Sequence, residues 1–254
     1  AGQFIILRLH EHGERIPLTI ADFNREKGTI TCVFQEVGKT TRELGTFQEG
    51  QKILDFVGPL GHPSQIENYG RVICVGGGVG VAPVFPIARA LKDAGNDVLG
   101  IMGARTRDLL FWEEKMKSAC HRLLVTTDDG SYARKGFVTD VLKEVLDCDK
   151  DFSLCIAIGP LPMMRAVCNV TREYRLKTIV SLNTTMVDGT GMCGCCRVTV
   201  GGKTKFACVD GPEFDGHLVD FAEMARRAVI YKNQEQQALQ RFHGEDQACW
   251  KGGA

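Results

Sequence analysis

Between residues 71 and 182 the chain alternates short, apolar, β-prone runs with amphipathic helical patterns, and this alternation restricts its fold more than any other feature. The apolar runs cover 71–75, 97–103, 122–126, 152–158 and 177–182; the helical patterns cover 83–94, 108–120, 138–148 and 161–175. Strands separated by helices pair in parallel, and the helices cover both faces of the sheet. In such sheets the ligand lies at the carboxyl ends of the strands. The first run leads into Gly76-Gly-Gly78-Val79-Gly80-Val-Ala82-Pro83. Strand, glycine loop and helix together offer free N–H groups and a positive helix end to a phosphate. Pro83 suits a first helical turn, where a missing N–H costs nothing. Alone, such a loop reads equally well as a turn. The polar or glycine-rich turns at Gly103-Ala104-Arg105, Asp128-Asp129-Gly130 and Gly159-Pro160 through Met163-Met164 fall on the same rim. A dinucleotide site is expected there.

Residues 1–68 have a different texture, with short strand-like runs at 3–9, 15–20 and 29–35 separated by polar turns. This predicts a small antiparallel barrel. Arg15-Ile-Pro17-Leu18-Thr19 and Gly38-Lys-Thr40-Thr41 supply a cation, hydroxyls and backbone donors, although ordinary strand ends would look the same. The chain opens in mid-pattern, so further barrel strands are expected upstream of Ala1.

The segment from Asp188 to Cys208 reads D-x4-C-x2-C-x11-C, with Gly189, Gly191 and Gly194 inside it. Two β-prone stretches around Gly201-Gly202 form a hairpin that returns Cys208 towards Cys196. Three thiolates, one carboxylate and a glycine-rich backbone suit an iron–sulfur cluster, whose sulfurs need close N–H donors. A structural zinc site is the competing reading, but no His lies near enough in sequence to complete the usual paired spacing. Asp188 also reads as an Asp-Gly turn residue. The chain has 11 cysteines, an odd number, several of them inside apolar runs, so disulfides are not expected and a reducing compartment is.

Composition excludes some partners. Lys plus Arg and Asp plus Glu both number 31, which leaves no basic excess for nucleic acid or an anionic membrane. No apolar run approaches the roughly 18 residues of a membrane span. A cytoplasmic location is expected.

The order of these parts resembles the ferredoxin-reductase-type electron-transfer subunits. G-G-G-V-G-V-A-P, T-D-D-G-S, G-P-x-P-M-M and the cysteine loop carry the likeness, which covers essentially the whole chain. That family includes the dihydroorotate dehydrogenase B electron-transfer subunit and the small subunit of NADH-dependent ferredoxin:NADP oxidoreductase. The first typically has a cysteine where Asp188 stands, so the Asp-plus-three-Cys pattern is more similar to the second.

The resemblance implies an FAD barrel over 1–68, an NAD(P)-binding α/β domain over 69–182 and a [2Fe–2S] domain with a C-terminal helix over 183–254. It implies FAD at Pro17, Leu18, Thr19, Val33, Phe34, Gln35, Thr40 and Thr41. NAD(H) is expected at Gly76, Gly78, Val79, Gly80, Ala82, Pro83, Ala104, Arg105, Asp128, Asp129, Gly130, Gly159, Pro160, Met163 and Met164. The cluster ligands would be Asp188, Cys193, Cys196 and Cys208, with Cys195 where relatives carry a small non-ligand residue. Arg15 sits one residue out of register with the family's barrel motif. His62 is expected to pack a loop, because hydride exchange between flavin and nicotinamide needs no general base. The implied activity converts a hydride into single electrons exchanged with a larger iron–sulfur flavoprotein similar to the glutamate synthase small subunit, and through it with ferredoxin. The alternatives are service to a dihydroorotate dehydrogenase, or a non-enzymatic zinc-bearing assembly module.

Overall fold

A computed structural model describes residues 1–251. β1 (Phe4–Arg8), β2 (Ile16–Asn24), β3 (Thr29–Cys32) and β4 (Asp55–Leu60) form an antiparallel sheet in the order β3-β2-β1-β4, with α1 (Lys39–Gly45) in the β3–β4 connection. Central strand β1 is apolar on both faces. Its alternation sends Ile5 and Leu7, with Leu9 beyond, into a small core completed by Leu18, Leu44 and Ile53. Phe4 and Ile6 point the other way, into the main core.

The second sheet begins with β5 (Arg71–Gly77), β6 (Asp97–Ala104), β7 (Arg122–Thr127), the two-residue β8 (Arg134–Lys135), β9 (Leu154–Ile158) and β10 (Thr178–Ser181). All of these pair in parallel. Beyond them come a separate hairpin, β11 (Arg197–Val200) and β12 (Lys203–Phe206), and β13 (Glu213–Asp215). β13 pairs antiparallel with β10, giving seven strands in the order β13-β10-β9-β5-β6-β7-β8. Residues 72–75 of β5 are completely buried because helices cover both faces.

On one face α2 (Val81–Asp93) and α3 (Glu113–Ala119) contribute Val84, Ile87, Leu91 and Met116. On the other, α4 (Val138–Cys148) and α5 (Leu161–Glu173) contribute Val141, Leu142, Leu146 and Val167. The chain ends in α6 (Phe221–Arg227) and α7 (Lys232–Lys251). Residues 252–254 of the expected third domain lie outside the described residues.

The helix expected over 108–120 is shorter. A single 3-10 turn covers Arg107–Leu109, and Trp112 takes a left-handed conformation (φ 58°) immediately before α3. The segment after residue 182 is tied to both sheets. Leu182 N–H donates to Pro212 O (2.9 Å), His62 N–H donates to Gly211 O (2.7 Å), and Ser64 Oγ donates to Glu213 Oε1 (2.6 Å).

Candidate cofactor cavity and thiol loop

The order in which the chain adds strands to the parallel sheet reverses at β5, which has β6 on one side and β9 on the other. This is the switch point at which an open α/β sheet leaves a crevice above its strand ends. A cavity of about 1050 Å³ opens there. Its walls include Gly77-Gly78-Val79 at the end of β5, Gly103-Ala104-Arg105 at the end of β6, Asp128 after β7 and Gly159, Pro160 and Met163 after β9. Val33, Phe34 and Gln35, which follow β3, close it from the antiparallel sheet. The cavity therefore joins the two halves of the molecule. Such a large apolar cleft with a few convergent polar groups is the usual form of a cofactor site.

Two glycines make the loop between β5 and α2 possible. Gly78 has φ 53°, which a side chain would strain. At Gly80 a Cβ would strike the carbonyl of Ile158 and lie 2.8 Å from Gly159 Cα, so only glycine lets the start of α2 sit against β9. Arg105 is the one cation among the cavity's described lining residues, beside Asp108 and Asp128. Burial raises the Asp128 carboxyl above its ordinary value, and the charge of Arg105 opposes that rise.

The thiol loop lies beside β1 and β4. Gly189 (φ 76°) is buried, and a Cβ there would stand 2.7 Å from Ile6 and 2.8 Å from Leu60. Cys196 Sγ and Cys208 Sγ are 3.2 Å apart, both almost fully buried, because the hairpin pairs Arg197 with Phe206 and brings Ala207 N–H to Cys196 O. Burial, reinforced by Cys196, pushes the Cys208 thiol up to about 12. Backbone N–H groups of Asp188 and Cys195 hydrogen-bond the Cys193 sulfur and lower its pKa, and Gly191 N–H faces the Cys208 sulfur.

Asp188 Oδ1 accepts from Thr190 N–H (3.0 Å) and Oδ2 from Cys193 N–H (2.9 Å), so its carboxylate closes the loop as an Asx turn does. Among the described residues no three His, Cys, Asp or Glu side chains are gathered as a metal site. The donors nevertheless suit an iron–sulfur cluster: soft thiols, N–H groups aimed at two of them, and a glycine backbone. The described cysteines are all free.

The remaining expected residues fall elsewhere. Pro17, Leu18 and Thr19 are half-buried in the first half of β2, paired with β1 and outside the cavity lining. Thr40 and Thr41 also lie outside it, at the start of α1. Thr41 Oγ1 accepts from Gly38 N–H (3.0 Å), and Thr40 Oγ1 donates to Glu14 Oε2 (2.5 Å). Gly76 is the penultimate residue of β5, beneath the loop, and Ala82 and Pro83 belong to the first turn of α2. Asp129 and Gly130 form the turn after β7, with Asp129 Oδ1 accepting from both Ser131 N–H (2.9 Å) and Ser131 Oγ (2.7 Å). Met164 is 1% exposed and packs in the core under α5, not in the cavity.

Sequence reasoning missed Asp108, Leu109, Phe111, Phe137, Thr139 and Asn183, all cavity-lining residues. Asn183 could have been found, because it directly follows the last parallel-strand run.

Comparison with known proteins agrees with this geometry. Residues 183–220 match the iron–sulfur cluster binding domain of dihydroorotate dehydrogenase B, and residues 74–169 match the oxidoreductase NAD-binding domain. The chain is 53% identical over 241 residues to the Thermotoga maritima protein described as a dihydroorotate dehydrogenase B (NAD(+)) electron transfer subunit homolog, covering 95% of this chain and 85% of that protein. The chain belongs to the dihydroorotate dehydrogenase B electron-transfer-subunit family.

A Bacillus cereus dihydroorotate dehydrogenase B electron transfer subunit is a more distant member, 34% identical over 84% of each chain. Among solved structures, the NADH-dependent reduced ferredoxin-NADP oxidoreductase has a chain 53% identical, with TM-score 0.90, covering 95% of this chain and 87% of that one. An Amycolatopsis cytochrome P450 reductase shares the fold at 25% identity and TM-score 0.56 over 69% of this chain. Members of the electron-transfer-subunit family are oxidoreductase components, and this chain is an oxidoreductase subunit. No described helix is long and apolar enough to cross a membrane.

Proposed function

We propose that this chain is the FAD- and [2Fe–2S]-bearing subunit of an electron-bifurcating NADH-dependent ferredoxin:NADP oxidoreductase. The observation that carries the reading is the 53% identity and TM-score of 0.90 to a chain of that enzyme, sustained over 95% of this one. When bound, the flavin and the cluster supply the conversion between a hydride's two electrons and single electrons.

The chain's own residues bind and orient. Val33, Phe34 and Gln35 form the flavin side of the cavity, with Pro17–Thr19 on β2 and Thr40–Thr41 at the start of α1 as further proposed flavin contacts. The Gly76–Gly80 loop and the start of α2 present backbone N–H groups to the nucleotide's phosphates. Arg105 adds the cavity's positive charge, and Gly159, Pro160 and Met163 wall the nicotinamide side. Holding two reactants in register accounts for much of the acceleration in such a transfer. Asp188, Cys193, Cys196 and Cys208 are the proposed cluster ligands, on a loop packed against β1 and β4. The client is a larger iron–sulfur flavoprotein similar to the glutamate synthase small subunit, which passes electrons on to ferredoxin.

A second reading, service to a dihydroorotate dehydrogenase, is favoured by the family match over residues 183–220. Purifying the native complex without oxygen and identifying its other subunit by mass spectrometry decides between them. A large iron–sulfur flavoprotein supports the proposal; a dihydroorotate dehydrogenase catalytic subunit overturns it.

A further inference from the structure

One carboxylate joins the two walls of the cavity from behind. Asp22, on β2, receives Arg89 Nη1 of α2 on Oδ1 (2.9 Å) and Lys115 Nζ of α3 on Oδ2 (3.2 Å). Both cations belong to the nucleotide half and the carboxylate to the antiparallel sheet. Aromatic rings hold the two cations in place. The Arg89 guanidinium lies 4.9 Å from the Phe85 ring centre and 5.5 Å from Phe23, and Lys115 Nζ lies 3.9 Å from Trp112. The Asp22 side chain is 21% exposed, against 35% for Arg89 and 42% for Lys115, so the carboxylate is the most shielded of the three charges at the seam.

Each partner is linked to the cavity by a short path. Asp22 is registered opposite Thr31 of β3, and β3 runs on through Cys32 into Val33, Phe34 and Gln35 on the flavin wall. On the other side, Trp112 contacts Phe85 edge-on at 5.6 Å and Phe111 at 5.8 Å, and Phe111 lines the cavity. Trp112 holds its left-handed backbone conformation, uncommon for a bulky residue, within this aromatic and cationic cluster. Strain of this kind persists only where surrounding contacts over-determine it.

We infer that Asp22 is a positioning residue for hydride transfer: by clamping Arg89 and Lys115 it sets the separation between the Val33–Gln35 wall and the Phe111 wall. It is not among the residues that line the cavity. Its effect is on the distance and alignment of the two reacting rings, to which transfer rates are steeply sensitive. Loss of the carboxylate would leave two cations facing one another with no anion between them, and the seam would open. This inference rests on the proposed function, because it concerns the same cavity.

The test compares wild type with Asp22→Asn and Asp22→Glu, each anaerobically purified with flavin and cluster bound, by rapid mixing with NADH. The expected result is a fall of about tenfold or more in the limiting rate of flavin bleaching for Asp22→Asn, with NADH affinity little changed. The nicotinamide–flavin charge-transfer band should weaken in the same variant, and Asp22→Glu should restore most of both signals. Lys115→Met provides a second route, with the same signature and Asp22 intact. A wild-type limiting rate and band in both Asp22→Asn and Lys115→Met overturns the inference. So does a loss confined to flavin content, equal in Asn and Glu variants, which would make Asp22 merely structural. Failure of NADH to bleach the wild-type flavin would instead contradict the proposed function itself.

Discussion

Cys196 Sγ stands 3.2 Å from Cys208 Sγ, brought there by a hairpin whose turn carries Gly201 and Gly202, both at positive φ. Two residues twelve apart in sequence thereby supply half of the proposed ligand set before any metal is considered. Replacing either by Ser should abolish the cluster's visible absorption and paramagnetic signal while leaving FAD bound. Full retention of the signal in both variants would remove them from the ligand set.

Asp188 has two competing jobs, ligand and loop staple, and substitution separates them. Asn keeps an oxygen able to accept from Cys193 N–H but is a poor cluster ligand, whereas Cys supplies a thiolate and cannot staple. A ligand role predicts that Asp188→Cys retains the cluster and Asp188→Asn loses most of it, read as iron per chain. The reverse order would assign Asp188 to the turn alone.

The Gly80 contact with β9 makes a packing prediction. Asp188 and the thiols are untouched by it, so the effect should be local to the nucleotide half. Gly80→Ala should cost about 1–3 kcal/mol, because the added methyl meets the Ile158 carbonyl, a backbone group unable to turn aside. It should also weaken NADH binding. An unchanged denaturation midpoint would mean that α2 can shift at little cost.

Much of the α/β half was legible because its signals are local and repeated. α4 spans 138–148, the span its apolar periodicity predicts, and β5, β6 and β7 begin at Arg71, Asp97 and Arg122 as their apolar runs do. The helix expected from residue 108 fails locally because Trp112 is held by the Phe85 ring of α2 and by Lys115 of the turn that follows it. β4 and β13 were invisible for another reason. The first contains Pro59 and the second is three residues long beside Pro212, so neither has enough alternation to read. α1 was masked by Gly38 and two threonines, which read as a turn. In the site, motif reasoning finds glycine loops that present backbone, and it located Gly78, Val79, Gly159 and Pro160 on the cavity. It cannot find Phe111 or Thr139, whose place there depends on how whole elements pack. It also overreached to Met164, whose side chain lies on the core face of α5.

Glu213 supplies a pH prediction. Burial raises its carboxyl above the ordinary value of 4.5, against a lowering contribution from the Ser64 hydroxyl. An acid whose folded-state pKa is raised binds its proton more tightly when folded, so stability falls as pH rises from the unfolded value through the folded one. Glu213→Gln keeps an acceptor for Ser64 and has no charge to bury. The variant should therefore match wild type at acidic pH and exceed it in thermal midpoint near neutrality. A difference that does not change with pH would show that the Glu213 charge is already relieved in the fold.

The central claim is that this chain turns a hydride from NADH into single electrons through its own flavin and cluster. Anaerobic addition of NADH to the purified subunit, followed by visible absorption and low-temperature paramagnetic resonance, tests it most directly. The account predicts bleaching of a flavin band together with the appearance of a reduced [2Fe–2S] signal. A colourless protein that holds zinc, or a flavin that NADH leaves oxidised, would contradict it.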